Sequence, residues 1–202
     1  VGAIAAGVFA LALASVGEMA FNIGALLWLT TIVACGVIMP MYGIHRERKE
    51  GSLLFALSLP ISPAGYARAK MLGMLASFGS IWVVLCIGAI VMVAAVSRMP
   101  NGLLPYLLLL SGFLLANFTV VMCGAFLAKS EVGVSLVIIL TNMGVTVFML
   151  FVGRMPAIST HMLASAPVWS GAFFMILAAE IATLAIALTV PPIVISRRRE
   201  IV

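Results

Sequence analysis

The chain has 202 residues, 64% of them hydrophobic and 8% charged, with a formal net charge of +5 and a mean hydropathy of +1.29. Soluble domains carry about 25% charged residues, so the composition describes an integral membrane protein and leaves no aqueous domain to hold a soluble active site. Apolar runs of helix-crossing length, about 20 residues, stand in place of the roughly ten-residue alternation of a membrane barrel.

The basic residues cluster at the ends of the apolar runs instead of covering one soluble face, which argues against nucleic acid as a partner. The chain contains no aspartate, which removes Asp-based metal loops, paired-Asp intramembrane proteases and Asp-based phosphotransfer together. Cys35, Cys86 and Cys123 each lie inside an apolar run without CxxC spacing, and read as small buried hydrophobes.

In chain order, residues 1–17 are apolar and uncharged. They are short for a span, and the first residue is valine, which predicts that native residues precede it and complete the span's cytoplasmic start. A brief polar break, Glu18 to Asn22, leads into a second span at 20–43. A charged loop at 45–70 follows, then a third span at 71–97, which ends in a tight turn at Arg98-Met99-Pro100-Asn101-Gly102. The fourth span, 103–128, ends at Lys129-Ser130-Glu131. The fifth is 132–152. A mixed segment, 153–170, carries Pro156, His161 and Pro167. The sixth span, 171–195, ends in Arg197-Arg198-Arg199. The predicted fold is thus all-α, one membrane domain of six transmembrane helices over 1–202. Arg46, Arg48, Lys49, Arg68, Lys70, Lys129 and the three terminal arginines fall on one face, with only Arg98 and Arg154 on the other. Nine cations against two predict that both termini and the 45–70 loop are cytoplasmic in a cell inner membrane.

The 45–70 loop is the long polar-edged interruption in the chain, and its middle is apolar. Ser52 is placed to cap a short helix, Leu53, Leu54, Phe55, Ala56, Leu57 and Leu59 follow, and Pro60 stops it. Eight helical residues rise about 12 Å, far short of a bilayer core of about 30 Å. Such a helix needs the lipid interface or a protein groove over its apolar side. A lipid-bound helix interleaves basic residues on its polar face. None occurs between Ser52 and Pro60, so a protein groove fits better. Ser62-Pro63 then reads as an N-cap with proline at the first helical position of the third span.

Glu47, Gly51-Ser52-Leu53, Leu57, Leu59-Pro60, Ser62 and Lys70 resemble the pattern in permease subunits of ABC-2-type transporters. There a Glu after the second span is followed by Gly-Thr-Leu, a leucine run, Pro-x-Ser and a Lys entering the third span. Ser52 stands here where Thr is usual and keeps the hydroxyl cap. The layout of six spans with a long first cytoplasmic loop is also similar, whereas the Glu-Ala-Ala loop of importer-type permeases is not matched. The resemblance implies that residues 45–70 hold a coupling helix. It would dock Glu47, Gly51, Ser52, Leu53, Leu54, Leu57, Pro60, Ser62 and Lys70 onto an ATP-binding subunit, present in two copies. It implies a second permease subunit, the same or related, and short re-entrant external helices before the last span, around Arg154–Ser170. ATP and Mg would sit on the partner, with no cofactor on this chain. The expected activity is export of an apolar or amphipathic substrate. A haem or lipid exporter subunit of the same architecture, or a membrane scaffold without transport, are the alternatives.

No catalytic or metal constellation is expected in the chain. Gly124-Ala-Phe-Leu-Ala-Lys129-Ser130 approaches the GxxxxGK[ST] phosphate loop but lacks its second glycine and ends a span instead of following a strand. The Gly-x-Ser-Gly of an intramembrane serine protease does not occur. His45 and His161 lie outside the spans and read as surface residues, too few for a metal site. Glu180 is the unusual residue, ionisable and near the middle of the sixth span, with Asn117 and Asn142 at similar depth in spans four and five. A charge at such depth marks a functional site by default: a proton path or a polar substrate contact, against a protonated carboxyl that serves packing. Glu18 reads as solvated at the outer interface. Gly2, Ala6, Ala10 and Ala14 form a small-residue stripe for close helix approach, within the subunit or across a dimer. The thirteen methionines read as core filling or as an adaptable apolar path.

Overall fold

A computed structural model describes residues 2–14, 16–45, 62–96, 99–128 and 130–197, apart from the side chains at positions 14, 18 and 45. The short apolar helix expected at 52–59, with Glu47, Gly51, Ser52, Leu53, Leu54, Leu57 and Pro60, lies outside the described residues.

The described residues are helical, with no strand among them. Helix α1 is Gly2–Ala14 and α2 is Glu18–Pro40. Pro40 has no amide hydrogen to continue the α pattern, and one π turn, Met41–His45, follows it. Helix α3 runs unbroken over Pro63–Ala95. A 3₁₀ turn, Asn101–Leu103, opens α4, Leu104–Leu127. Helix α5 is Glu131–Arg154. A single helical turn, Pro156–Ser159, precedes α6, Gly171–Arg197.

Five of these helices are long and apolar enough to cross a membrane, which makes this an α-helical, multi-pass membrane protein. Helix α1 is apolar but has 13 residues, a rise of about 20 Å against the roughly 30 Å of a bilayer core. Two expectations need correcting at its junction with α2. The polar break at 18–22 is not a break, because the second helix already opens at residue 18. Nor is the small-residue stripe one packing face. Gly2 and Ala6 are exposed, while Gly7 and Ala10 are buried. Gly7 packs against Leu85 of α3, where any side chain would collide with the leucine.

The Ser62-Pro63 marker folds as expected, and Ser130 supplies a second cap, one not expected from the sequence. The Ser62 hydroxyl accepts the Gly65 amide at 3.1 Å with Pro63 in the first turn of α3. Ser130 caps α5 through the Gly133 amide at 3.2 Å. Without these bonds the first-turn amides would lack partners.

Helix α4 is the centre of the bundle, with α2, α3, α5 and α6 all packed against it. Half of its most apolar stretch is buried, against about a tenth for α5, so α5 turns most of its surface outward. Phe78 of α3 and Phe118 of α4 stack with ring centroids 4.0 Å apart, and Gly36 of α2 faces both rings. Two tryptophans tie helices together through backbone carbonyls. The Trp28 indole donates to Leu85 O at 3.1 Å, and that of Trp82 to Ser111 O at 2.8 Å. At the 101–103 end, the Gly102 amide donates to Ala164 O at 2.9 Å, docking the 155–170 segment on the turn before α4. Leu109, Val152, Ile158 and Phe173 close that end as a separate apolar cluster.

Candidate functional site

Glu180 stands nine residues into α6, about 14 Å along it. It is 7% exposed, and among the described residues neither carboxyl oxygen has a hydrogen-bond partner. The hydroxyls in the long helices behave differently. Thr141 donates to Val137 O at 2.8 Å and Thr183 to Ala179 O at 2.8 Å, so each is satisfied within its own helix. Against α4 the carboxylate is accommodated by Gly112, since a Cβ at 112 would run into Oε2.

Glu180 lines a cleft of about 370 Å³ bounded by α4, α5 and α6, while its two carboxyl oxygens are closed off over Gly112. The α6 wall is Ile176, Ala179, Glu180 and Thr183, spaced i, i+3, i+4 and i+7 along one helix face. The α4 wall includes Phe113 and Asn117, and the α5 wall Thr141, Gly144 and Phe148. Phe113 and Phe148 stack with centroids 4.1 Å apart.

Of the three polar residues expected in the spans, Glu180 and Asn117 therefore share one cleft. Asn142 does not line it. Its amide nitrogen donates to Ile138 O at 2.9 Å, and its buried Oδ1 has no partner among the described residues. Counting residues from a span end gives depth but not direction, and one residue of helix turns the side chain by about 100°. The neighbouring Thr141 faces the cleft instead. Spacing along α6 alone picks out Thr183 beside Glu180; Thr141 and Gly112 emerge only from the packing of three helices.

A second cleft, about 740 Å³, lies between the end of α2 and the start of α3, and is lined by Tyr42, Tyr66, Lys70 and Met74 among others. Gly43 sits close enough to α3 that a Cβ there would lie 3.0 Å from Met74 Sδ and 3.9 Å from Lys70 Cε. Of the residues expected to meet an ATPase, Ser62 and Lys70 are described, at the α3 side of this base. Arg68 is exposed on the same turns.

The remaining candidates fall where no chemistry gathers. Gly124 lies within α4, its Cα packed on Val137 of α5, so the stretch resembling a phosphate loop is a helix end. The three cysteines are unpaired, and no group of three or more His, Cys, Asp or Glu stands together among the described residues. His161 lies in the 155–170 segment, where its carbonyl accepts the Ala164 amide at 3.0 Å. Compared with family models, curated proteins and solved structures, the chain matches none.

Proposed function

We propose that this chain is the membrane-spanning permease subunit of an ATP-driven exporter of the ABC-2 type, working as a pair of permease subunits with two ATP-binding subunits. One observation supports the reading beyond the sequence pattern. Helix α3 has 33 residues in one piece, about 50 Å against a bilayer core of about 30 Å. It overshoots by about 20 Å, and its Pro63 end carries Arg68 and Lys70. The chain thus leaves on the π turn after α2 and returns on α3, with Gly43 beside Lys70 and Met74. Two helices side by side form a stiff base for residues 46–61, suited to carry motion from a cytoplasmic ATPase into the bundle.

In this reading α1 belongs to the first of six spans, and the 155–170 segment is the external closure corresponding to the re-entrant helices of the family. Both termini and the 46–61 loop are cytoplasmic. Glu47 anchors the loop and residues 52–59 fill a groove on the ATPase. The chain supplies the path and the partner supplies ATP hydrolysis.

Leu57→Asp tests the proposal. A carboxylate at 57 would be buried unpaired in the groove, at a cost of several kcal/mol, and about 1.4 kcal/mol is already a tenfold loss of binding. Tagged wild-type protein purified from its native membranes should bring down an ATPase carrying a GxxxxGK[ST] loop. Leu57→Asp should insert equally well and lose it. If the variant retains the ATPase with wild-type coupled turnover, or if wild type brings down none, the reading fails.

A further inference from the structure

We propose that a cavity enclosed by α1 to α5 binds a small uncharged molecule with a hydrocarbon body and a hydroxyl at one end, the chemistry of a medium-chain alcohol. Calling that molecule the exported cargo rests on the transporter reading above; its binding does not.

The cavity has a volume of about 350 Å³. Leu11 of α1, Trp28 of α2, Ala89 of α3, Leu110 of α4 and Met149 of α5 each contribute to its wall. No residue lines both this cavity and the cleft at Glu180. Along α2 the wall runs from Phe21 to Leu29, and along α4 from Leu103 to Leu110, a depth of about 10–12 Å.

The first ground is that the space calls for an occupant and water does not suit it. Protein interiors close-pack, with few voids larger than a water molecule, and wall atoms facing a void forfeit their contacts. A buried water needs about two to four polar partners. At the Trp28 end the wall offers none from side chains. The Trp28 indole is committed to Leu85 O at 3.1 Å, and Leu29, Ala89 and Leu110 beside it are apolar. A dry apolar cavity of about 150 Å³ takes up benzene. This one has roughly twice that volume, at the lower end of small-molecule sites.

The second ground is where the polar groups stand. Gly43 beside Met74 and Trp28 bonded to Leu85 set α3 antiparallel to α2. Phe78 on Phe118 and Trp82 on Ser111 set it antiparallel to α4. Helices α2 and α4 therefore start at the same end of the bundle, the end where the 155–170 segment docks through Gly102. Asn22 stands in the first turns of α2 and Tyr106 in the first turn of α4, and both line the cavity. Asn22 is exposed and Tyr106 half-buried. An amide and a phenol each donate and accept, as a hydroxyl does. The wall is thus polar at one end and hydrocarbon through its depth.

The third ground is charge. Among the described residues, no charged side chain lines the cavity. An ion drawn into it would lose water without meeting a counter-charge, which is strongly unfavourable. The wall therefore selects an uncharged body.

Photolabelling with 3-azioctanol tests the proposal. The full chain, without any ATPase, would be irradiated with the probe in phosphatidylcholine nanodiscs and the adducts mapped by mass spectrometry. Adducts on the wall, at Leu26, Met92, Leu107 or Met149, should saturate and be displaced by excess octanol. Met143 of α5, 62% exposed, should instead label in proportion to probe concentration, because it meets probe dissolved in lipid. Octyl sulfate and octyltrimethylammonium carry the same chain with a charge, and should displace the wall adducts far less well than octanol. Ala25→Phe and Leu107→Phe each add bulk to the wall and should abolish the saturable adducts. The double variant Asn22→Leu, Tyr106→Phe removes the polar end and should weaken octanol binding about tenfold. The proposal is overturned if wall adducts do not saturate, the result expected if lipid chains fill the cavity. It is overturned equally if a charged competitor matches octanol, or if the double variant binds octanol as wild type does. Should Ala25→Phe fail to insert, Leu107→Phe decides, and wild-type saturable labelling in either Phe variant overturns the site. Because no ATPase is present, these results stand apart from the loss of partner in Leu57→Asp.

Discussion

The carboxylate of Glu180 on α6 lies over Gly112 on α4, in space that any side chain at 112 would take. The glycine here provides room, so that a buried acid fits between two closely packed helices.

This relationship predicts opposite signs for the same change at two glycines. Gly112→Ala drives a methyl into the carboxylate, and such overpacking costs about 1–3 kcal/mol. Alanine gains back about 1 kcal/mol in helix propensity. At Gly144 a methyl meets only an ordinary contact, so the propensity gain stands alone. Thermal unfolding in detergent should therefore rank Gly144→Ala at or above wild type and Gly112→Ala below it. A Gly112→Ala protein as stable as Gly144→Ala would mean that α4 and α6 do not approach in this way.

A second prediction concerns the indole tie between α3 and α4. Trp82→Phe keeps an aromatic ring but removes the donor to Ser111 O, a bond of 2.8 Å. Interhelical hydrogen bonds in membranes contribute about 0.6–2 kcal/mol. The variant should lose stability in that range, and Trp28→Phe should lose a comparable amount through Leu85 O. Two silent variants in the same unfolding assay would show that the indole nitrogens carry no tie.

Helix existence was legible in the sequence because it depends on local features. Ser62-Pro63 marked the start of α3, and the Asn101-Gly102 turn separates α3 from α4 as expected. The polar cluster at 18–22 misled because polarity alone does not break a helix; the turn itself lies just before it, at Val16, whose amide donates to Leu13 O. The small-residue stripe misled for a related reason. Spacing of four follows one helix row, but which row faces a neighbour depends on that neighbour, here Leu85 meeting Gly7. The site was half legible. A lone acid in an apolar span identifies itself, whereas Gly112, Thr141 and Phe148 become its surroundings only once α4, α5 and α6 are packed. The resemblance in the 45–70 loop touches the described structure at Ser62 and Lys70, and both stand at the start of α3.

The 33-residue length of α3 supports a final prediction, which tests orientation and helix length together. Arg68 on α3 is exposed, and Ile87, five turns further along the same helix, is 55% exposed. Protein packing therefore shields neither one. If about 20 Å of α3 stands outside the bilayer, only position 68 meets water, while lipid covers position 87. Thiols react with maleimides as thiolates, which form in water and not in lipid. With Cys35, Cys86 and Cys123 replaced by alanine, Arg68→Cys should react with a membrane-impermeant maleimide in inside-out vesicles and stay unlabelled in intact cells. Ile87→Cys should resist the reagent from both sides. Ser159→Cys, in the segment docked beside Gly102, should label in intact cells. Labelling of Ile87→Cys would show that α3 does not cross the membrane as one helix. Labelling of Arg68→Cys from outside would place the 46–61 loop away from any cytoplasmic ATPase, and the exporter reading would fall with it.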